Sequence, residues 1–278
     1  MNRSRGALLI LLLFGAAAAA NTQESLKNGT TAYNAGNFAL AVEQFEQAVK
    51  ADPQSLLARQ HLANARVRRF LSASPFDRVA LAKAARAAVA DVLARSPKDA
   101  VALWHMAAME LDTGNLSEAA AWCQKLTAAN PKSKNGYYTL GVIQWMESYQ
   151  AIAAAKKKAG ILPSDPPPIK DVVTREVLRS SQLKGIAEGH KFLEKALALD
   201  AEFGAALAYD NLLYRVEAEL ANSPAEAQAL NARADDRLKK ARALLETGKK
   251  TETQAYLRPD EPPPATAPVP PPPPRPGS

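Results

Sequence analysis

The chain has 278 residues, 47% hydrophobic and 23% charged, so it can bury a core and lies outside the disordered and collagenous classes. Aromatics are only 6% and alanine dominates, which excludes a β-sandwich or barrel built on β-branched and aromatic strands. One cysteine, Cys123, rules out an intrachain disulfide and any multi-cysteine zinc or iron–sulfur site, and the formal charge of +7 must be located before it is read as affinity for nucleic acid.

Residues 1–20 open with Arg3 and Arg5, continue through the apolar run Leu8 to Phe14 and close on Ala18-Ala19-Ala20, the pattern of a cleavable secretory signal peptide with cleavage after Ala20. Gly6 to Ala20 is shorter than the ~20 residues that cross a hydrocarbon layer. No cysteine follows it, so there is no lipobox. The expected location is periplasmic or secreted, without stable membrane insertion. A chain that kept its leader would be a membrane-tethered adaptor instead.

Beyond the leader the pattern is helical. Gly29, Gly36-Asn37-Phe38, Ala41, Phe45, Ala48 and Val49 lead to Asp52-Pro53. Between Pro53 and Pro97, Leu62 and Ala63 fit a first helix and Ala85, Val89, Val92 and Leu93 a second, with an insertion near residues 70–80 around Ser72-Ala73-Ser74-Pro75. Pro97 and Pro131 stand 34 residues apart and enclose Leu103 and Met106, a turn at Gly114-Asn115-Leu116, then Ala119, Cys123 and Leu126. A small residue such as Ala119 permits close helix approach, Gly114 permits a tight turn, and Pro131 stops the helix.

A fourth segment starts with Tyr137, Leu140 and Gly141 and is interrupted by an insertion over 159–178 that contains Pro163, Pro166, Pro167 and Pro168. Its second helix follows with Phe192, Leu193, Ala196 and Leu197 before Asp200, and the long first helix through Gln150 to Lys158 is expected to project beyond its neighbours. The fifth pair runs Leu207 to Leu220 and Ala225 to Leu245. Leu230, Ala234, Leu238, Ala241 and Leu245 form one stripe of its second helix, and residues 233–250 set Arg233, Arg237, Lys239, Lys240, Arg242, Lys249 and Lys250 against Asp235, Asp236 and Glu246, a net +4 of the +5 that remains once Arg3 and Arg5 leave with the leader. That suits a terminal cap with a solvated face. Residues 251–278 form a proline-rich tail expected to be disordered, with polyproline II over Pro270 to Pro274.

The 34-residue period and its order of residues resemble the tetratricopeptide repeat (TPR), in the manner of bacterial exported TPR proteins. The resemblance implies an all-α, right-handed α-solenoid of about five helix pairs over residues 21–250. It also implies a concave face, lined by the first helices, that holds a peptide or helix of another protein. Carried over position by position, that groove would contain Tyr33, Asn34, Gln60, Asn64, Arg68, Trp104, Asp112, Tyr138, Trp145 and Arg215. Packing of Trp104 and Trp145 between neighbouring first helices is the alternative. Members that clamp a C-terminal carboxylate use Lys, Asn and Arg. Here those places read Leu26, Thr30, Gln60, Asn64, Trp104 and Ala108, and only Asn64 survives, so that mode is expected to be absent.

No template for catalysis fits: His61, His105 and His190 are dispersed, and neither a His-Glu-x-x-His motif nor a phosphate loop occurs. His190 and Glu194 stand one turn apart, which reads as a surface pair rather than a metal site, and Cys123 as a buried inert thiol. The expectation is therefore a non-enzymatic scaffold or assembly factor of the bacterial cell envelope, with no catalytic residue, no metal, no cofactor and no nucleic-acid partner. An enzyme with an unfamiliar site in the 159–178 insertion is the remaining alternative. Its polar residues are Asp165, Lys170, Asp171, Arg175 and Glu176, with no His or Cys, which favours a structural strap.

Overall fold

The computed structural model describes residues 20–74 and 76–246. The expected leader, except for its last residue, lies outside the described residues, as do Pro75 and the proline-rich tail. The described residues are all α, without a strand: α1 over 20–34, α2 Phe38–Ala51, α3 Leu56–Leu71, α4 Arg78–Arg95, α5 Ala100–Asp112, α6 Leu116–Ala129, α7 Lys134–Lys158, α8 Val172–Leu199, α9 Gly204–Glu219 and α10 Pro224–Glu246. They fall into two compact units that meet between Asn115 and Leu116, with α1 to α5 in the first and α6 to α10 in the second.

The helix boundaries follow local chemistry. Asn37, Ser55, Asp99, Ser133 and Asp171 each accept a hydrogen bond from the backbone N–H three residues on, satisfying a donor that the first helical turn leaves unpaired. At the other end, Gly36 and Gly114 adopt φ of +75° and +78°, and the residue after each donates to a carbonyl five residues back. This left-handed cap reverses the chain within three residues, and glycine enters it without a Cβ penalty. Gly160 ends α7 in the same way.

In the first unit, close packing relies on small residues. A Cβ on Gly29 would stand 2.5 Å from the Phe45 ring, so α1 and α2 approach to a distance that no other residue allows. Phe45, Ala41, Val42, Leu62 and Ala65 form the core there, and Phe45 stacks on His61 with ring centroids 5.0 Å apart. A second cluster joins α3, α4 and α5 through Val67, Phe70, Ala85, Val89, Val92 and Met109. The insertion expected near residues 70–80 shows as the connector over 72–77 between α3 of 16 and α4 of 18 residues.

In the second unit, α7 and α8 reach 25 and 28 residues, against 14 for α6. The connector between them covers only residues 159–171, because 172–178 already belong to α8. The far end of α7 does not project freely, contrary to the expectation. Ile152 is buried, and Lys156, only 6% exposed, pairs with Glu219 of α9 at 2.9 Å. The connector folds down as a strap: the Ile169 N–H donates to the Glu219 carbonyl at 2.9 Å, Arg175 donates to the Ile169 carbonyl at 2.8 Å, and Arg179 donates to the Leu220 carbonyl. Ile169 thus meets the last carbonyl of α9 and Arg179 that of its C-cap Leu220, where the helix dipole favours positive charge.

Candidate functional site

Gln60, Asn64 and Arg68 recur at four-residue intervals on α3 and therefore share one face. The end of α1 brings Tyr33 to them, its hydroxyl donating to Asn64 Oδ1 at 3.0 Å. Phe38, the first residue of α2, completes the group: its ring meets the Tyr33 ring edge-on at 5.3 Å, and the Arg68 guanidinium lies 5.4 Å above it. Burial pushes the Tyr33 hydroxyl above its ordinary pKa, a shift opposed by the Arg68 charge and the Asn64 bond. Gln60 donates to Asp99 Oδ2 at 2.6 Å while Asp99 Oδ1 caps α5. Tyr33, Gln60, Asn64 and Arg68 are all part-exposed and Asn34 is exposed. The first unit thus holds a ready-formed polar and aromatic surface. It offers a guanidinium, two amides and a phenol to a polypeptide's carbonyls and carboxylates.

The other expected groove residues fare differently. Trp104 is 1% exposed, Tyr138 4% and Trp145 7%, so these three are core residues and present no contact surface. The correction has a physical reason: each aromatic side chain buries about 150–250 Å², more than the groove surface could gain by leaving it exposed. Tyr138 packs on Phe203 at 5.0 Å and on Tyr209 at 5.6 Å, and Trp145 meets Tyr209 edge-on at 5.3 Å. Asp112 pairs with Arg78 at 3.1 Å. Arg215 belongs to the second unit, where it donates to Asn211 at 3.0 Å and to Asp235 at 2.7 Å.

Two features escaped the sequence reading. Phe38 was visible only as a turn residue, because its ring is recruited by Tyr33 and by Arg68, 30 residues away. His190 is not part of a surface pair with Glu194. It faces α9, with Nδ1 2.5 Å from Asp210 Oδ1, Nε2 3.5 Å from Glu217 and its ring 4.2 Å from that of Tyr214. Arg237 of α10 adds a second cation 2.7 Å from the same buried carboxylate. Burial opposes charge on His190, but the hydrogen bonds and charges of Asp210 and Glu217 outweigh it and raise its pKa to about 9. This cluster joins α8, α9 and α10. His105 shows the opposite case, with burial and the Arg68 charge lowering its pKa to about 3.

The polar residues of the 159–171 strap and its flank do not converge. Asp165 accepts from the Leu162 N–H, Asp171 caps α8, Arg175 holds the Ile169 carbonyl and Glu176 lies 3.7 Å from Arg179. Cys123 is buried in α6, and burial pushes its thiol pKa up to about 12. Among the described residues, no group of three or more His, Cys, Asp or Glu is placed to hold a metal ion, and no helix is long and apolar enough to cross a membrane.

The tetratricopeptide repeat family model matches residues 26–69 and 81–134. Among solved structures, MamA from Desulfovibrio magneticus RS-1 is 12% identical with a TM-score of 0.51, covering 82% of this chain and 96% of that one. A double mutant of RS-1 MamA gives 12% identity and a TM-score of 0.52 over 83% and 97% of the two chains. A tetratricopeptide repeat protein from Parabacteroides merdae is 16% identical with a TM-score of 0.41, over 85% and 97%. At these identities the likeness concerns the fold alone. No curated protein matches the sequence.

Proposed function

We propose that this chain, which carries tetratricopeptide repeats, is a non-enzymatic scaffold or assembly factor that captures a segment of another polypeptide on the first helices of its N-terminal repeats. The fold itself is that of a protein–protein interaction module. The observation that carries the finer reading is the part-exposed group of Tyr33, Asn64 and Arg68, held by the Tyr33–Asn64 bond and by Phe38, with Gln60 on the same helix face fixed on Asp99. A surface held in place before binding loses little side-chain entropy on association. The leader pattern of residues 1–20 supports export to the cell envelope as the setting, and an N-terminal sequence beginning at Asn21 is the corresponding outcome.

Affinity capture from the native envelope supplies the partner. With it in hand, the double substitution Asn64→Ala and Arg68→Ala is expected to weaken binding about 10- to 100-fold, as one or two charge-assisted hydrogen bonds would. An unchanged affinity in a folded double variant overturns the site. Trp104→Ala and Tyr138→Ala are unsuitable for this purpose, because both remove core packing.

A further inference from the structure

An open pocket of about 490 Å³ lies where α9 and α10 meet, lined by Tyr214 of α9 and by Ala232, Arg233, Asp236 and Arg237 of α10. Positions 232, 233, 236 and 237 share one face of α10, so the stems of the two arginines start one turn, roughly 6 Å, apart. Arg237 is held from behind, its Nε 2.7 Å from the buried Asp210 carboxylate. Burial opposes its charge, but Asp210 and the Tyr214 hydroxyl favour it and raise its pKa. Tyr214 is itself fixed against His190. The acids around the pocket are already paired: Asp236 with Lys240 at 2.8 Å, Asp235 with Arg215, and Asp210 and Glu217 with His190. Arg233 is exposed and forms no ion pair among the described residues, so one positive charge of the lining has no counter-ion.

We infer that this pocket binds a carboxylate carried on a small apolar or aromatic body, bridged between Arg233 and Arg237. With Nε committed to Asp210, the Nη groups of Arg237 remain as donors, and their planar fork matches the two oxygens of a carboxylate. A single negative charge balances the one free cation, whereas a dianion such as phosphate would set a surplus negative charge beside Asp236. Tyr214 and Ala232 supply the apolar part of the wall, and the volume is that of a small-ligand pocket. Arg237 and Tyr214 are in place before binding, so only Arg233 must be ordered on the ligand. Exposed Lys239 and Arg242 extend the positive field along the same helix. The carboxylate belongs either to a free small acid or to the C-terminus of a polypeptide. The pocket shares no residue with the surface on α1 and α3.

NMR titration of the isotope-labelled full chain tests this with three probes: benzoate, acetyl-glycyl-glycyl-phenylalanine with a free carboxylate, and the same peptide amidated. The two acids should shift the amides of α10 and the Nε–H signals of Arg233 and Arg237, with dissociation constants of about 0.1–1 mM, and the amidated peptide should not. Whichever acid binds more tightly assigns the source of the carboxylate. Arg233→Gln should weaken both acids at least tenfold, and because Arg233 is exposed and unpaired, the variant's helical circular dichroism should match that of the native chain. Lys239→Gln removes an equally exposed cation outside the pocket lining and should change affinity less than twofold. The absence of a saturable shift with either acid up to about 10 mM overturns the inference. So does binding indifferent to Arg233→Gln, binding equally weakened by Lys239→Gln, or inorganic phosphate binding more tightly than both acids.

Discussion

Raising the pH from 6.5 to about 9.5 should remove the charge of His190 and with it a measurable part of the chain's stability. The imidazole is 13% exposed and its folded pKa is about 9, against an ordinary 6.5. A pKa raised by folding means that the charged form favours the folded state. The contribution is therefore complete below pH 6.5 and is lost as pH rises through 9. At about 1.4 kcal/mol per pH unit, this interval corresponds to about 3 kcal/mol, a substantial share of the 5–15 kcal/mol of a typical domain. Denaturant unfolding at closely spaced pH values, with the His190 resonance followed by NMR, measures both quantities. One imidazole should titrate near pH 9, while burial keeps the pKa values of His61 and His105 below the ordinary value. In Asp210→Asn the slope between pH 6.5 and 9 should flatten, and stability at neutral pH should fall by about 3–5 kcal/mol, because His190 and Arg237 lose their shared carboxylate. A native chain equally stable at pH 6.5 and 9.5, or a His190→Gln chain that keeps the full slope, refutes the reasoning.

Gly29→Ala places a methyl group 2.5 Å from the Phe45 ring and should cost about 1–3 kcal/mol in thermal or denaturant unfolding; an unchanged midpoint would contradict the close approach of α1 and α2. Cys123 should resist maleimide and disulfide reagents in the native chain and react promptly in denaturant, and prompt native labelling would contradict its buried place in α6. Glu219→Gln leaves Lys156, 6% exposed, without its anion, and should destabilise the second unit by about 3 kcal/mol, measured by unfolding. Lys156→Met should cost less, since an apolar stem then replaces an unpaired charge.

What could be read from the sequence was what nearest neighbours and helical period determine. Gly36-Asn37 and Gly114-Asn115 announce their turns because a left-handed backbone is a local demand, as is the N-cap that Asn37 supplies to α2, and Ala119, Cys123 and Leu126 follow one helical face into the core. The groove was harder, because a position at the right period does not reveal whether a neighbouring helix covers it. Tyr33, Gln60, Asn64 and Arg68 remain part-exposed, whereas Trp104, Tyr138 and Trp145 are covered. Lys156-Lys157-Lys158 looks like a simple helix-end cluster, yet Lys156 turns inward to a glutamate 63 residues away. His190 likewise finds its partner on the following helix rather than one turn along its own. Long-range pairing of charges depends on which helix faces which, and no periodicity carries that information.

The strap over α9 also bears on how the C-terminal repeats open. A terminal helix pair held to its neighbour only by side-chain packing frays first and alone. Here the last carbonyl of α9 and that of its C-cap are held by Ile169 and Arg179, and Glu219 is held by Lys156, all contributed by the preceding pair. The amides at the end of α9 and those at the end of α7 should therefore exchange with solvent at a common rate, as one cooperative block. Deleting the fifth pair would strand the Ile169 amide and the Lys156 ammonium, so the array cannot be shortened from this end one repeat at a time.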